Sequence, residues 1–128
     1  MVKDLSGRWG AHDRPSTFRH RGRRSPYLAV GDQLVCLNLV TGSREWLRRV
    51  DPATCFGVYR DSRHEALISH GELQISRLSL AGDEIWSATG ADIFSEGFRC
   101  LSDGIEVIDF NRTVYLFDYR NGALIARK

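Results

Sequence analysis

Short runs of apolar residues alternate along the chain with clusters of Gly, Asn, Asp and Ser, and within the runs the apolar positions recur every second residue. Residues 55–89 show this best: "CFGVYR", a polar break at "DSRH", "EALIS", a break at His70-Gly71-Glu72, "LQISRLSL", a break at Ala81-Gly82-Asp83, and "EIWSAT". Side chains of a strand alternate between two faces, so these runs of β-branched and aromatic residues predict strands, and the breaks predict tight turns. The next stretch divides the same way into "GFRCL", "IEVIDF", "TVYLFDY" and "ALIAR", with turns at Ser102-Asp103-Gly104, Asn111-Arg112 and Arg120-Asn121-Gly122. The first stretch gives "TFRH", a longer basic turn, "YLAV", Gly31-Asp32, "LVCLNLV", Thr41-Gly42 and "REWLRRV". No window carries a sustained apolar stripe at helical spacing, so the expected fold class is all-β, in antiparallel strands.

The same pattern returns at a fixed offset of 40 residues. Gly42, Gly82 and Gly122 coincide in that frame, as do Gly31 and Gly71, Gly57 and Gly97, Trp46 and Trp86, Asn38 and Asp118, and Phe18, Val58 and Phe98. Turn glycines and aromatics recurring together mark an internal repeat. The expectation is one domain, residues 1–128, of three four-stranded units at about 8–47, 48–87 and 88–128.

"LVCLNLVTGSREW", "ISRLSLAGDEIW" and "VYLFDYRNGALI" resemble the strand, Asp or Asn, Gly turn and Trp ending of β-propeller blades, most nearly of the PQQ-like repeat and more loosely of WD-like repeats. The resemblance covers about residues 18–125 and implies blades, each a four-stranded antiparallel sheet. Two departures stand out. The third unit has Ala126 where the others have tryptophan, and three units are fewer than the four to eight blades of a closed ring. Trp9 lies three residues out of frame, with Gly7-Arg8-Trp9 readable as the remnant of a further fourth strand. An arc of blades ends in open faces and edges that invite pairing, so the resemblance implies cover from a second copy, as in a six-bladed homodimer, or from another protein. A β-trefoil is the alternative that closes three such units without a partner. The Gln-x-Trp triad of trefoil lectins is absent, and the Gly-to-Trp endings favour blades.

Composition removes several function classes. At 42% hydrophobic, 128 residues suffice for a core. The three cysteines, Cys36, Cys55 and Cys100, are odd in number and contain no CxxC pair, which points to reduced thiols packed as small hydrophobes. The opening "MVKDLSGRWGAHDRPS" lacks the unbroken apolar run of a signal peptide, and no later run approaches a membrane span, so a cytoplasmic location without membrane partners is expected.

Charge is divided unevenly: residues 1–64 carry 12 basic and 6 acidic side chains, residues 65–128 carry 6 and 10. The basic excess concentrates in "RHRGRR", where Arg19, Arg21, Arg23 and Arg24 form a candidate partner-binding segment suited to an acidic protein or a phosphate backbone. Only Phe18 and His20 accompany those arginines, too little for a stacking platform, and the acidic second half repels a polyanion. Nucleic acid is therefore not the expected partner.

The search for chemistry is largely negative. The sequence holds no GxSxG elbow, no phosphate-binding GK[ST] loop, no HExxH and no EF-hand loop. His64 and His70, flanking Glu65 in "RHEALISH", share a face only if both lie on one strand. Glu106, Asp109 and Asp118 fall on neighbouring strands, and Asp118, at the repeat position of Asn38, is expected to bond its own turn rather than perform acid–base work. PQQ dehydrogenases, the enzymes the resemblance raises, hold their cofactor on the axis of a complete ring, and three units do not build that pocket. No catalytic, cofactor-binding or metal residue is assigned and no cofactor is expected. The expected function is a non-enzymatic protein-interaction module, an adaptor or an immunity/antitoxin-type protein, with a protein partner or homo-oligomer. The alternatives are nucleic-acid binding through residues 19–24 and sugar binding by a trefoil.

Overall fold

A computed structural model of the chain describes Val2–Asp4 and residues 27–128. The arginines of residues 19–24, Trp9 and the predicted strand "TFRH" lie outside the described residues. Twelve strands are described: β1 (Val2–Asp4), β2 (Tyr27–Val30), β3 (Gln33–Leu37), β4 (Arg44–Arg49), β5 (Cys55–Asp61), β6 (Ala66–Gly71), β7 (Gln74–Ser79), β8 (Glu84–Thr89), β9 (Gly97–Cys100), β10 (Gly104–Ile108), β11 (Val114–Asp118) and β12 (Leu124–Arg127). Every described element is a strand, as the period-two pattern predicts.

The strands form three separate sheets, ordered β2-β3-β4, β1-β5-β6-β7-β8 and β12-β11-β10-β9. Each of β2 to β12 pairs antiparallel with its sequence neighbour in the sheet, so the sheets are meanders. One strand departs from that plan. β1 adds to the edge of the middle sheet and runs parallel to β5, with Val2 opposite Val58 and Asp4 opposite Arg60.

Alternation along the strands divides the apolar residues between two cores. Tyr27, Leu34 and Cys36 of the first unit, and Val50 just after β4, meet Cys55, Val58, Leu67 and Leu78 of the second. Ile68, Ile75 and Trp86, from the opposite face of that second sheet, meet Phe94, Ile105, Val107, Tyr115, Phe117 and Tyr119 of the third unit. Leu67 and Ile68 are adjacent in β6 and both fully buried, one in each core. Among the described residues, the middle sheet is thus sandwiched and each outer sheet is covered on one face.

Three buried aspartates fasten the turns. Asp51 Oδ1 accepts the N–H groups of Ala53 and Thr54, and its Oδ2 accepts those of Leu73 and Gln74, both at 2.8 Å, which ties the approach to β5 to the β6–β7 turn. Gly71 makes room for that carboxylate: a Cβ there would stand 2.1 Å from Asp51 Oδ2. Gly31, its partner in the 40-residue frame, serves a different end, with φ of 60° and open space around it. Asp61 Oδ1 accepts the N–H groups of Arg63 and His64, and Asp109 Oδ1 those of Asn111 and Thr113. Short polar side chains that bond the backbone two to four residues on stabilise turns in this way.

Candidate interaction surface

The turns β3–β4, β7–β8 and β11–β12 share one geometry. Gly42, Gly82 and Gly122 hold φ at 76°, 91° and 75°, a region that side-chain-bearing residues enter at a cost. Each glycine donates its N–H back to the residue opening the turn: Asn38 at 2.7 Å, Ser79 at 3.0 Å and Asp118 at 2.8 Å. A register shift follows the same strand position in every unit, at Cys36/Leu37, Arg77/Leu78 and Leu116/Phe117. The middle turn is one residue shorter, since Ser79 bonds Asp83 where Asn38 bonds Ser43 and Asp118 bonds Ala123. Asn38 therefore corresponds to Ser79, one residue beyond the uniform frame.

Each of two tryptophans seats against the glycine turn of the next sheet. Trp46 donates its indole N–H to Leu80 O at 3.1 Å, and a Cβ on Gly82 would lie 2.7 Å from its ring. Trp86 donates to Tyr119 O at 2.7 Å, and a Cβ on Gly122 would lie 2.5 Å from its ring. Arg77 reinforces the second junction by donating to the same Tyr119 carbonyl while its guanidinium sits 4.5 Å from the centre of the Tyr119 ring. The pattern indole, turn carbonyl and bare glycine is what the Gly-to-Trp endings of the sequence encode. At the β3–β4 turn, no described residue beyond Gly42 and its two chain neighbours comes within 4 Å of the Cβ position of Gly42.

The outward faces follow from alternation. Leu34 and Cys36 point into the first core, so Val35 and Leu37 point away from it, alongside Leu28 and Val30 of β2 and Leu47 of β4. Val30 is 55% exposed and Leu47 39%. On the third sheet Tyr115 and Phe117 point inward, so Val114 and Leu116 point outward, opposite Ile108, Glu106 and Ala126. Leu116 lies over Gly104 and Ile108 over Gly97, and Arg99 pairs with Glu106 at 2.9 Å beside them.

The titratable residues singled out from sequence do not converge. His64 Nδ1 meets Asp61 Oδ2 at 2.6 Å, and the hydroxyl of Tyr119 donates to the same oxygen. Burial raises the Asp61 carboxyl, but the bonds from Tyr119 and His64 and the charge of His64 overcome this and hold it below its usual value. His70 instead donates from Nε2 to Phe94 O at 2.9 Å and stacks on Phe98 with ring centres 4.7 Å apart; burial lowers its pKa. Of the carboxylates, Glu106 is held by Arg99, while Asp109 binds its own turn and accepts the hydroxyl of Tyr115. Asp118 accepts Arg120 N at 2.8 Å, the turn role expected of it, and Asn38 does the same for Val40 N and Thr41 N. No group of three or more His, Cys, Asp or Glu among the described residues is disposed to hold a metal ion.

No family model and no curated protein matches the sequence. Solved structures do match. BamB from Moraxella catarrhalis superposes with a TM-score of 0.63 at 17% identity, over 79% of this chain and 32% of its own. The RRP9 WD40 repeats give 0.65 at 12% identity, over 80% and 34%. A europium-containing methanol dehydrogenase gives 0.63 at 14% identity, over 80% and 22%. The fold is a partial β-propeller. Its three sheets are blades, and the chain spans about a third or less of these propellers' lengths. Separate meander sheets packed face to face in a row, with indoles bridging them, replace the trefoil alternative.

The sequence reading missed Asp51 and Asp61, and it named Asp109 only as one of three carboxylates on neighbouring strands, not as the residue that fastens its turn. Their signal is local, an aspartate opening each of the breaks "DPAT", "DSRH" and "DFNRT".

Proposed function

We propose that the chain is a non-enzymatic protein-interaction module, of the adaptor or immunity/antitoxin kind, whose partial propeller is completed by association with another chain. The observation that carries this reading is the outward face of the first blade, where Leu28, Val30, Val35, Leu37 and Leu47 occupy positions whose third-blade counterparts include the buried Val107, Tyr115 and Phe117. Aliphatic side chains gathered on one sheet face favour a second apolar surface over water, by roughly 25 cal/mol for each Å² covered. Rigid blades supply a fixed platform and their loops supply specificity.

The test is association of the full chain and its dependence on the two faces. Light scattering of a chain of 14.5 kDa is expected to report a larger species, alone or with its co-expressed partner, and Leu47→Arg is expected to reduce it. A cooperative monomer that binds no partner, unchanged by Leu47→Arg or Leu116→Arg, sinks the reading.

A further inference from the structure

We propose that the open Gly42 turn is a third indole socket, through which the first blade docks a tryptophan-ended β-strand of another protein. The proposal rests on the interaction reading above and names the site and the chemistry that enters it. The chain itself provides the template, because two of three equivalent turns already hold an indole. The Leu39 carbonyl, directly after Asn38, stands where Leu80 and Tyr119 stand after Ser79 and Asp118, and those are the carbonyls that receive Trp46 and Trp86. Gly42 supplies the bare backbone that an aromatic ring needs for close approach, with φ of 76° and, among the described residues beyond its chain neighbours, nothing within 4 Å of its Cβ position.

The turn is held in shape by its own side chains. Asn38 Oδ1 accepts Val40 N at 2.8 Å and Thr41 N at 3.0 Å, Asn38 Nδ2 donates to Glu45 Oε2 at 3.0 Å, and the Thr41 and Ser43 hydroxyls lie 2.7 Å apart. A ligand therefore meets an ordered socket and bears little of the cost of organising it. Val40, 79% exposed, and Leu39, 45% exposed, rim the site, and Leu47 extends it onto the open aliphatic face. A second copy added head to tail does not supply the indole, since its third blade presents Ala126 at that position, opposite Leu116. The occupant is accordingly a strand of different sequence: tryptophan at the end of a blade, apolar toward the first blade. The first junction of this chain, that of Trp46, adds a cation two residues beyond the indole, where Arg48 donates to Gly82 O at 2.7 Å and pairs with Asp83 at 3.6 Å. Ser43 replaces Asp83 at the open turn, so that cation is not required of the partner.

The experiment titrates the isotope-labelled full chain with a synthetic peptide of sequence GDEIWSAT, that of residues 82–89, following backbone amides by NMR. Saturable shifts of Leu39, Val40, Thr41 and Gly42 are expected. Replacing the peptide tryptophan by alanine, or Gly42→Asn in the chain, is expected to weaken binding about tenfold or more, the loss of one seated side chain with its hydrogen bond. Asparagine tolerates the left-handed backbone and fills the socket, so this variant folds and blocks. Unchanged affinity in Gly42→Asn, or a silent turn, overturns the proposal. Peptide binding that appears only in Trp9→Ala assigns the socket to this chain's own third tryptophan, and turn shifts that follow the chain's own concentration assign it to a second copy; either overturns the proposal. Association mapped to Leu116 and Ile108 with the Gly42 turn silent removes the socket and leaves the interaction reading standing.

Discussion

Trp86 sits against Gly122 so closely that a single Cβ on the glycine would collide with the ring at 2.5 Å, while the indole N–H reaches Tyr119 O at 2.7 Å. One aromatic side chain thus joins the second blade to the third through both an apolar contact and a satisfied polar atom. Removing a buried aromatic costs about 3–5 kcal/mol, and Trp86 is only 6% exposed. Trp86→Ala is expected to lower unfolding free energy by that amount in urea titration. Trp46→Ala is expected to cost less, because Trp46 is less deeply buried and its core holds fewer aromatics. Equal, negligible losses would show that the indoles do not hold the blades together.

The three turn glycines separate backbone strain from collision. Alanine at φ near +75° costs about 1–2 kcal/mol whatever surrounds it. Gly42→Ala meets open space and is expected to cost only that, whereas Gly82→Ala and Gly122→Ala must also displace an indole. In a double-mutant cycle Gly122→Ala and Trp86→Ala are expected to be non-additive, the second change costing less once the first is made. Additivity would mean that ring and glycine do not share an interaction.

Those glycines also show how far the sequence could be read. Period-two runs fixed the strands, and Gly42, Gly82 and Gly122 located equivalent turns, because strand alternation and positive φ are local demands that leave local marks. The uniform frame misled where the chain deletes a residue: Asn38 corresponds to Ser79, and Gly31 and Gly71 coincide in number but not in purpose. Long-range placements left no such mark. Nothing in residues 2–4 announces a strand parallel to β5. That Trp46 seats on a turn 34 residues away, and that neither described tryptophan seats on Gly42, follow from packing between sheets, which no short window contains.

Asp51 is the strongest case of a residue whose weight is visible only in three dimensions. Its carboxylate, 1% exposed, accepts four backbone N–H groups from two segments. Each buried donor left without a partner costs about 1–3 kcal/mol. Asp51→Ala is expected to destabilise the fold by at least about 3 kcal/mol, and Asp51→Asn by somewhat less, since the amide retains one acceptor oxygen. Chemical denaturation checks both, and wild-type stability in Asp51→Ala would refute the turn-fastening role.

Stability is also expected to depend on pH through His70. Its half-buried ring lies between Phe98 and Phe56, and its Nε2–H is committed to Phe94 O, so desolvation disfavours the charged form and lowers its pKa below the usual 6.5. The unfolded chain, with an ordinary imidazole, takes up a proton first as pH falls. Between pH 6.5 and the lower folded value the unfolded state binds more protons, so the free energy of unfolding falls with falling pH there and is fully retained above 6.5. Replacing the group removes the titration: His70→Gln, whose amide also donates toward the carbonyl, is expected to flatten that part of the profile while lowering stability throughout. Melting temperatures from pH 8 to pH 5 provide the check, since Asp61, with its lowered carboxyl pKa, loses its contribution only at more acidic pH. A wild-type profile flat from pH 7 to pH 5, or a slope that persists in His70→Gln, would show that this half-buried imidazole does not govern the response.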